Sequence, residues 1–262
     1  THRIGYTTET EDFQIAKWRM DELLDRILEE TNANSFTIFL SDSTQNNYRT
    51  KIYPQYKANR TQPKPIHLEG LKYYLVTDHA AIMTAEQEAD DAMGILQCKY
   101  YNKDHSIICS IDKDLLQIPG WHYNFVKQEK SYITKEQGLY KFYTQLLMGD
   151  KVDNIPGIYG IGPKKAEKAL EGLSGEDHYF EECKAQYEKA GLTLGHLLVY
   201  GRLLKIRTKD DELWQFPQAF SDIQPSEEPP LPFSPMQEEE NIPSPAPLSH
   251  AYLGLLLPGL SQ

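Results

Sequence analysis

Cysteine is scarce. The chain has three among 262 residues, Cys98, Cys109 and Cys183, an odd count without a CxxC spacing. That excludes a disulfide framework or a cysteine-held zinc site and reads as reduced thiols of an intracellular protein. Long apolar runs are lacking too, none near the ~20 residues of a membrane span, and no secretory signal opens the chain. The expectation is a soluble, cytoplasmic protein with no membrane partner. Basic charge is short: 27 Lys and Arg stand against 38 Asp and Glu, a formal net charge of -11. Such a balance ordinarily weighs against a nucleic-acid partner. Much of the deficit is local, however. From Gln218 onward there are six acids (Asp222, Glu227, Glu228, Glu238, Glu239, Glu240) and no Lys or Arg, which leaves −5 on residues 1–217. Acids that ligate divalent cations would lose more of the excess.

What is present divides the chain in three. Over residues 10–30, Phe13, Ala16, Met20, Leu23, Leu24, Ile27 and Leu28 recur at three- and four-residue steps, predicting an amphipathic helix. Residues 35–40 (SFTIFL) form a β-branched and aromatic run, a predicted buried strand ending at Ser41 and Asp42. Residues 48–65 are basic, aromatic and proline-bearing, a loop or irregular helix; 66–77 and 84–98 read as helices. Residues 106–110 (SIICS) predict a second strand, followed by Asp112. This order predicts an α/β domain with a mostly parallel sheet flanked by helices over residues 1–130, its site beyond the carboxyl ends of the strands. Residues 131–217 read as a helical region interrupted by a glycine-rich hinge at 157–162. Residues 218–262 hold nine of the sixteen prolines, with Ser and Glu between them, and predict a disordered tail. Its last apolar stretch (AYLGLLLPGL) is too short to build a domain.

Four acidic groupings stand out: Asp42; Glu88, Asp90 and Asp91; Asp112 and Asp114; Asp150 and Asp153. Any one alone would usually be a solvated face. Several lie in apolar contexts (CSIDKDLLQI, EADDAMGIL), where an unpaired charge is costly. Glu88 and Asp91, three apart, share a helix face. Hard divalent cations take oxygen ligands, and two such ions about 4 Å apart can activate a water and stabilise the leaving oxygen of a phosphodiester.

Gly157, Gly160 and Gly162 permit tight turns and close approach by a partner. The helix that follows offers free N–H groups to a phosphate, with Lys164 and Lys165 adding charge. This reads as a helix–hairpin–helix element gripping the DNA backbone without reading bases, or as a plain turn between helices. Upstream, Tyr48, Arg49, Lys51, Tyr53, Tyr56, Lys57 and Arg60 alternate rings with positive charge. They read equally as a surface that stacks bases and neutralises phosphates and as ordinary Tyr–Arg packing.

Taken in order, SDSTQNNYR, YPQYKANR, EADD, SIDKDLLQ, GDKVDNIPG and GIGPKKA, spanning roughly residues 36–170, resemble the 5′-nuclease family: phage 5′–3′ exonucleases, flap endonucleases and the nuclease domain of bacterial DNA polymerase I. The resemblance implies a PIN-like domain followed by a helix–three-turn–helix region. It implies a first Mg²⁺ or Mn²⁺ ion held by Asp42, Glu88, Asp90 and Asp91, and a second held or oriented by Asp112, Asp114, Asp150 and Asp153. Lys57 and Arg60 would contact the reacting phosphate and, with Asp112 and Asp114, carry catalysis. Arg49, Tyr56, Gly157, Gly160, Gly162, Lys164 and Lys165 would meet DNA, with a K⁺ ion at the hinge. Implied partners are DNA 5′ ends, flaps and nicked or branched duplex, with RNA–DNA hybrid as a further substrate, met by a monomer in a bacterial or phage-infected cell. The family opens with an apolar strand ending in Asp some forty residues before the position of Asp42. Residues 1–10 are polar, so the expectation is a sheet without that strand and a first metal with one ligand fewer. A branched-DNA-binding protein without catalysis and a PIN-type RNase stay open beside the nuclease.

Overall fold

The computed structural model describes residues 2–42, 46–99, 105–223 and 254–258. A short helix α1 (His2–Thr7) leads into α2 (Phe13–Thr31), which is opened by the Asp12 side chain accepting from the Gln14 N–H and closed by Asn32 in the left-handed region, φ 56°. The stripe Ala16, Met20, Leu23, Leu24 and Ile27 is buried. Strand β1 (Thr37–Ser41) is followed by α3 (Tyr48–Ile52), α4 (Leu68–His79), β2 (Ile82–Thr84), α5 (Ala89–Lys99) and β3 (Ser106–Cys109). A 3-10 turn at Asp114–Gln117 connects to the hairpin of β4 (Gly120–Asn124) and β5 (Glu129–Ile133). Four helices come next: α6 (Lys135–Met148), α7 (Pro163–Leu170), α8 (Glu176–Lys189) and α9 (Leu194–Leu204). Strand β6 (Gly254–Pro258) is the last element described.

The sheet order is β2-β1-β6-β3-β4-β5. Strands β1 to β4 run the same way, β5 and β6 against them. The expected α/β sheet with most strands in one direction is therefore present. The expected tail without structure does not extend to Gly254–Pro258, which lie antiparallel between β1 and β3, Ile38 opposite Leu255 and Ile108 opposite Leu256. Because successive side chains of a strand point to opposite faces, Ile38 and Leu40 pack with α2 and α4, while Phe39 packs with Ala89 and Met93 of α5. The sheet is thereby sandwiched between helical layers. A separate core gathers the buried faces of α6 to α9, and Tyr56 and Ile155 are anchored in it. Among the described residues no helix is long and apolar enough to cross a membrane.

Candidate active site

The segments after β2 and β3 open toward one cleft, lined by Glu88, Asp90, Asp112, Asp114, Asp150 and Asp153 together with Arg49, Tyr56 and Lys57. Three of these acids come from segments just after the parallel strands, where open α/β sheets place their sites. The other three come from the start of the 3-10 turn and the turn following α6.

The two adjacent aspartates of EADD have separate fates. Asp91 is 0% exposed. Its oxygens accept from Arg49 Nη1 (2.5 Å) and Nη2 (2.8 Å), from the Glu88 N–H (3.2 Å) and from the Arg207 N–H (3.0 Å). Arg49, itself buried, also donates to the carbonyls of Leu203 (2.8 Å) and Lys205 (3.1 Å). Burial pushes the guanidinium toward its neutral form, but Asp91 outweighs it and raises the Arg49 pKa well above the usual value. In this arrangement Asp91 and Arg49 spend their hydrogen-bonding capacity on each other and on the end of α9 and the segment after it, which lends no support to the expected metal contact of Asp91 or DNA contact of Arg49. Asp90 points the other way. Its Oδ1 is buried without a hydrogen-bond partner. Burial, then the facing Asp112 and Glu88 charges, raise its pKa well above the carboxylate range.

Glu88 behaves oppositely. Burial pushes its pKa up, yet Lys57 and Arg49 nearby and the hydrogen bonds from Lys57 and Tyr56 hold it at about 2. Tyr56 is buried and its hydroxyl donates to Glu88 (3.0 Å) and Asp153 (3.2 Å). Its burial lends no support to the expected DNA contact. Lys57 pairs with Glu88 and lies 3.4 Å from Asp153; Arg60 pairs with Asp153. Both expected catalytic cations therefore sit on the acids of the cleft.

Below them, a relay of short turns aims the second group. The Asp112 N–H donates to Ser110 Oγ (3.0 Å) and the Asp114 N–H to Asp112 Oδ1 (2.7 Å). From α6, Gln145 donates to Asp114 (2.6 Å) and Lys141 lies 3.6 Å away. Lys141 and Gln145, four apart on one helix face, were not singled out from the sequence, because nothing local ties them to Asp114. Asp150 Oδ1 accepts from the Val152 N–H (2.8 Å) and Asp153 N–H (3.2 Å), shaping the turn. Burial, then Asp153 and Asp114, raise its pKa. Asp42, at the exposed end of β1, is not among the residues lining the cleft.

The donor set fits a hard divalent cation: all oxygen, mutually repelling, with one buried carboxylate oxygen unpartnered. As arranged, no three His, Cys, Asp or Glu side chains among the described residues converge closely enough to enclose an ion.

The hinge glycines also divide. A Cβ on Gly157 would stand 2.1 Å from the Met148 carbonyl carbon, so this glycine serves the backbone crossing between the hinge and the end of α6. That packing accounts for the glycine without a DNA contact. Gly160 turns with φ 76°, pinned by Lys165 Nζ donating to its carbonyl (2.8 Å). Gly162 caps α7 in open space, with Lys164 and Lys165 exposed beside it. Tyr159, just before Gly160, is 99% exposed.

A family model described as "5′-3′ exonuclease, N-terminal resolvase-like domain" matches residues 7–144. The chain is 31% identical over 184 residues to a 5′-3′ exonuclease of Buchnera aphidicola (subspecies Schizaphis graminum), covering 65% of this chain and 64% of that one. It is 33% identical over 149 residues to a 5′-3′ exonuclease of Aquifex aeolicus, 52% of each. It is 34% identical over 139 residues to the flap endonuclease Xni of Shewanella pealeana, covering 47% of this chain and 53% of that one. The chain thus spans about half to two thirds of the length of these relatives. Among solved structures, T5 5′-exonuclease with bound zinc gives a TM-score of 0.53 at 17% identity, covering 79% of this chain and 86% of that one. The T5 D15 protein co-crystallised with metal ions gives 0.51 at 16%, covering 76% and 85%. These two establish likeness of fold. With the family model laid over more than half of its length, the chain belongs to the 5′–3′ exonuclease family through that family's N-terminal resolvase-like domain.

Proposed function

We propose that the chain is the nuclease body of a divalent-metal-dependent 5′–3′ exonuclease and structure-specific 5′-flap endonuclease, hydrolysing DNA phosphodiesters in replication or repair. The observation that carries this reading is the cleft of six acids from separate segments, with Asp90 Oδ1 buried and unpartnered in it. Glu88, Asp90 and Asp112 would hold one Mg²⁺ or Mn²⁺ ion, and Asp114, Asp150 and Asp153 the other. Bound divalent ions supply a water nucleophile and charge neutralisation at the phosphate. Lys57 and Arg60 bring positive charge to the mouth of the same cleft and would face the phosphate being cut. The N-terminus of α7 at Gly162, with Lys164 and Lys165, would take a backbone phosphate of the duplex as a helix–hairpin–helix element does. A K⁺ ion among the hinge carbonyls and RNA–DNA hybrid as an alternative substrate belong to the same reading, as does a monomer working in the bacterial or phage-infected cytoplasm.

The test is cleavage of 5′-labelled flap, nicked and RNA–DNA hybrid duplexes in Mg²⁺, Mn²⁺ and EDTA. Asp112→Ala should abolish metal-dependent cutting while leaving duplex binding in place. No cutting by the wild-type chain in either metal sinks the proposal. A second reading, a catalytically impaired branched-DNA-binding protein, draws support from Asp42 standing outside the cleft lining and from the lack of any three converged carboxylates among the described residues. Flap binding without cutting would favour it.

A further inference from the structure

Two asparagines outside the acidic cleft tie its basic and acidic loops together. Asn59 Nδ2 donates to the Lys151 carbonyl (2.9 Å), and Asn154 Nδ2 donates to the Gln55 carbonyl (2.7 Å). Each side chain reaches out of its own loop to a carbonyl of the other, so the two bonds cross-brace residues 53–60 and 150–155. Between them the Lys57 N–H donates to the Asp153 carbonyl (2.9 Å). Lys57 and Asn154 both hold positive φ, 57° and 56°. Asn tolerates that region readily. For a residue like Lys it is uncommon and persists only where surrounding bonds over-determine it.

We propose that Asn59 and Asn154 are positioning residues: they lock the loop carrying Lys57 and Arg60 onto the turn carrying Asp150 and Asp153, fixing cations and carboxylates in one geometry. The inference rests on the nuclease reading of the cleft. Neither asparagine lines the cleft, and each acts through its neighbours. The two loops have anchors besides the asparagines, because Tyr56 and Ile155 sit in the buried core of α6 to α9. What the clasp adds is register. A displacement of about 1 Å at reacting groups can cost about 100-fold in rate, so partial loosening should be read in turnover before it is read in stability.

The experiment compares wild type, Asn59→Ala and Asn154→Gly, each also with Lys57→Ala, on a 5′-flap duplex in Mn²⁺. Glycine at 154 keeps the left-handed backbone cheap while deleting the donor. Single-turnover rates are expected to fall by roughly tenfold for each asparagine variant, with DNA affinity unchanged to about twofold. Hydrogen exchange should quicken in both loops from either substitution alone. In the Lys57→Ala background the same substitutions should cost less, because one of the groups they position is gone. Wild-type rates in Asn154→Gly, a rate loss matched by lost DNA affinity, or equal fold losses in both backgrounds would overturn the proposal while leaving the nuclease reading standing. A wild-type chain that does not cut, its two loops still coupled in exchange, overturns the nuclease reading and the positioning role with it.

Discussion

Asparagine placed at 90 and at 91, neighbours on one helical turn, should shift stability in opposite directions. At Asp91 it takes away the closest counter-charge of the buried Arg49 guanidinium, 3% exposed, and leaves the Glu88 carboxylate 3.9 Å away. Removing one partner of a buried ion pair costs about 3–5 kcal/mol, here together with disturbed bonds that join α3, α5 and the segment after α9. Total stability is of the order of 5–15 kcal/mol, and a body of this size loses roughly 2–4 °C of melting temperature per kcal/mol. Asp91→Asn should therefore melt ~10 °C lower or more. At Asp90 the same change removes a charge whose Oδ1 is buried and unpartnered and which faces Asp112 and Glu88. An amide of the same shape relieves the repulsion from Asp112 and Glu88 and the burial of a charge, so in EDTA the Asp90→Asn protein should melt above wild type. Saturating Mn²⁺ should then stabilise wild type by binding the folded state and stabilise Asp90→Asn much less. Calorimetric melting of the three proteins in EDTA and in Mn²⁺ decides the matter. An Asp91→Asn chain as stable as wild type would refute the assignment of Asp91 to the fold. An Asp90→Asn chain destabilised in EDTA would refute the claim that its charge is held there at a cost.

Glu88 sets the sign of one pH dependence. Its pKa is lowered from an ordinary 4.5 to about 2, so its ionised form stabilises the fold above 4.5 and that contribution fades as pH falls toward 2. Unfolding free energies measured against pH for wild type and Glu88→Gln should converge below pH 4.5; a constant gap would contradict the pairing with Lys57 and Arg49. The hinge glycines give a second contrast. Gly157→Ala drives a Cβ to 2.1 Å from the Met148 backbone and 2.3 Å from the Gly149 nitrogen, and should destabilise by about 1–3 kcal/mol, as overpacking does. Gly162→Ala meets nothing within 4 Å and should keep its melting temperature while losing duplex affinity in a fluorescence anisotropy titration. Equal stability of the two glycine variants would remove the distinction drawn between packing and binding.

The parts of the fold that were legible are those where a segment's own pattern decides its state. The three- and four-residue spacing of α2 is such a pattern, and so is the β-branched content of β1 and β3, whose residues are buried on both faces of the sheet. Strand β2 is three residues with two exposed, and four of the five residues of β5 are exposed. Pairing with a neighbour, which no local pattern records, makes them strands. The site follows the same rule. Acid spacing was legible, and six of the eight acids singled out do meet in one cleft. Yet EADD alone cannot say which aspartate is a ligand candidate, because the answer lies with an arginine 42 residues earlier in the chain. The basic stretch that contains this arginine read equally as a nucleic-acid surface and as packing. In the fold it is divided: Arg49 and Tyr56 turn inward, and Lys57 turns onto the acids. A carboxylate's role is thus set by how many donors reach it. Asp91, with four, is held by the fold; Asp90, with a buried oxygen that none reaches, is the one left available to a cation.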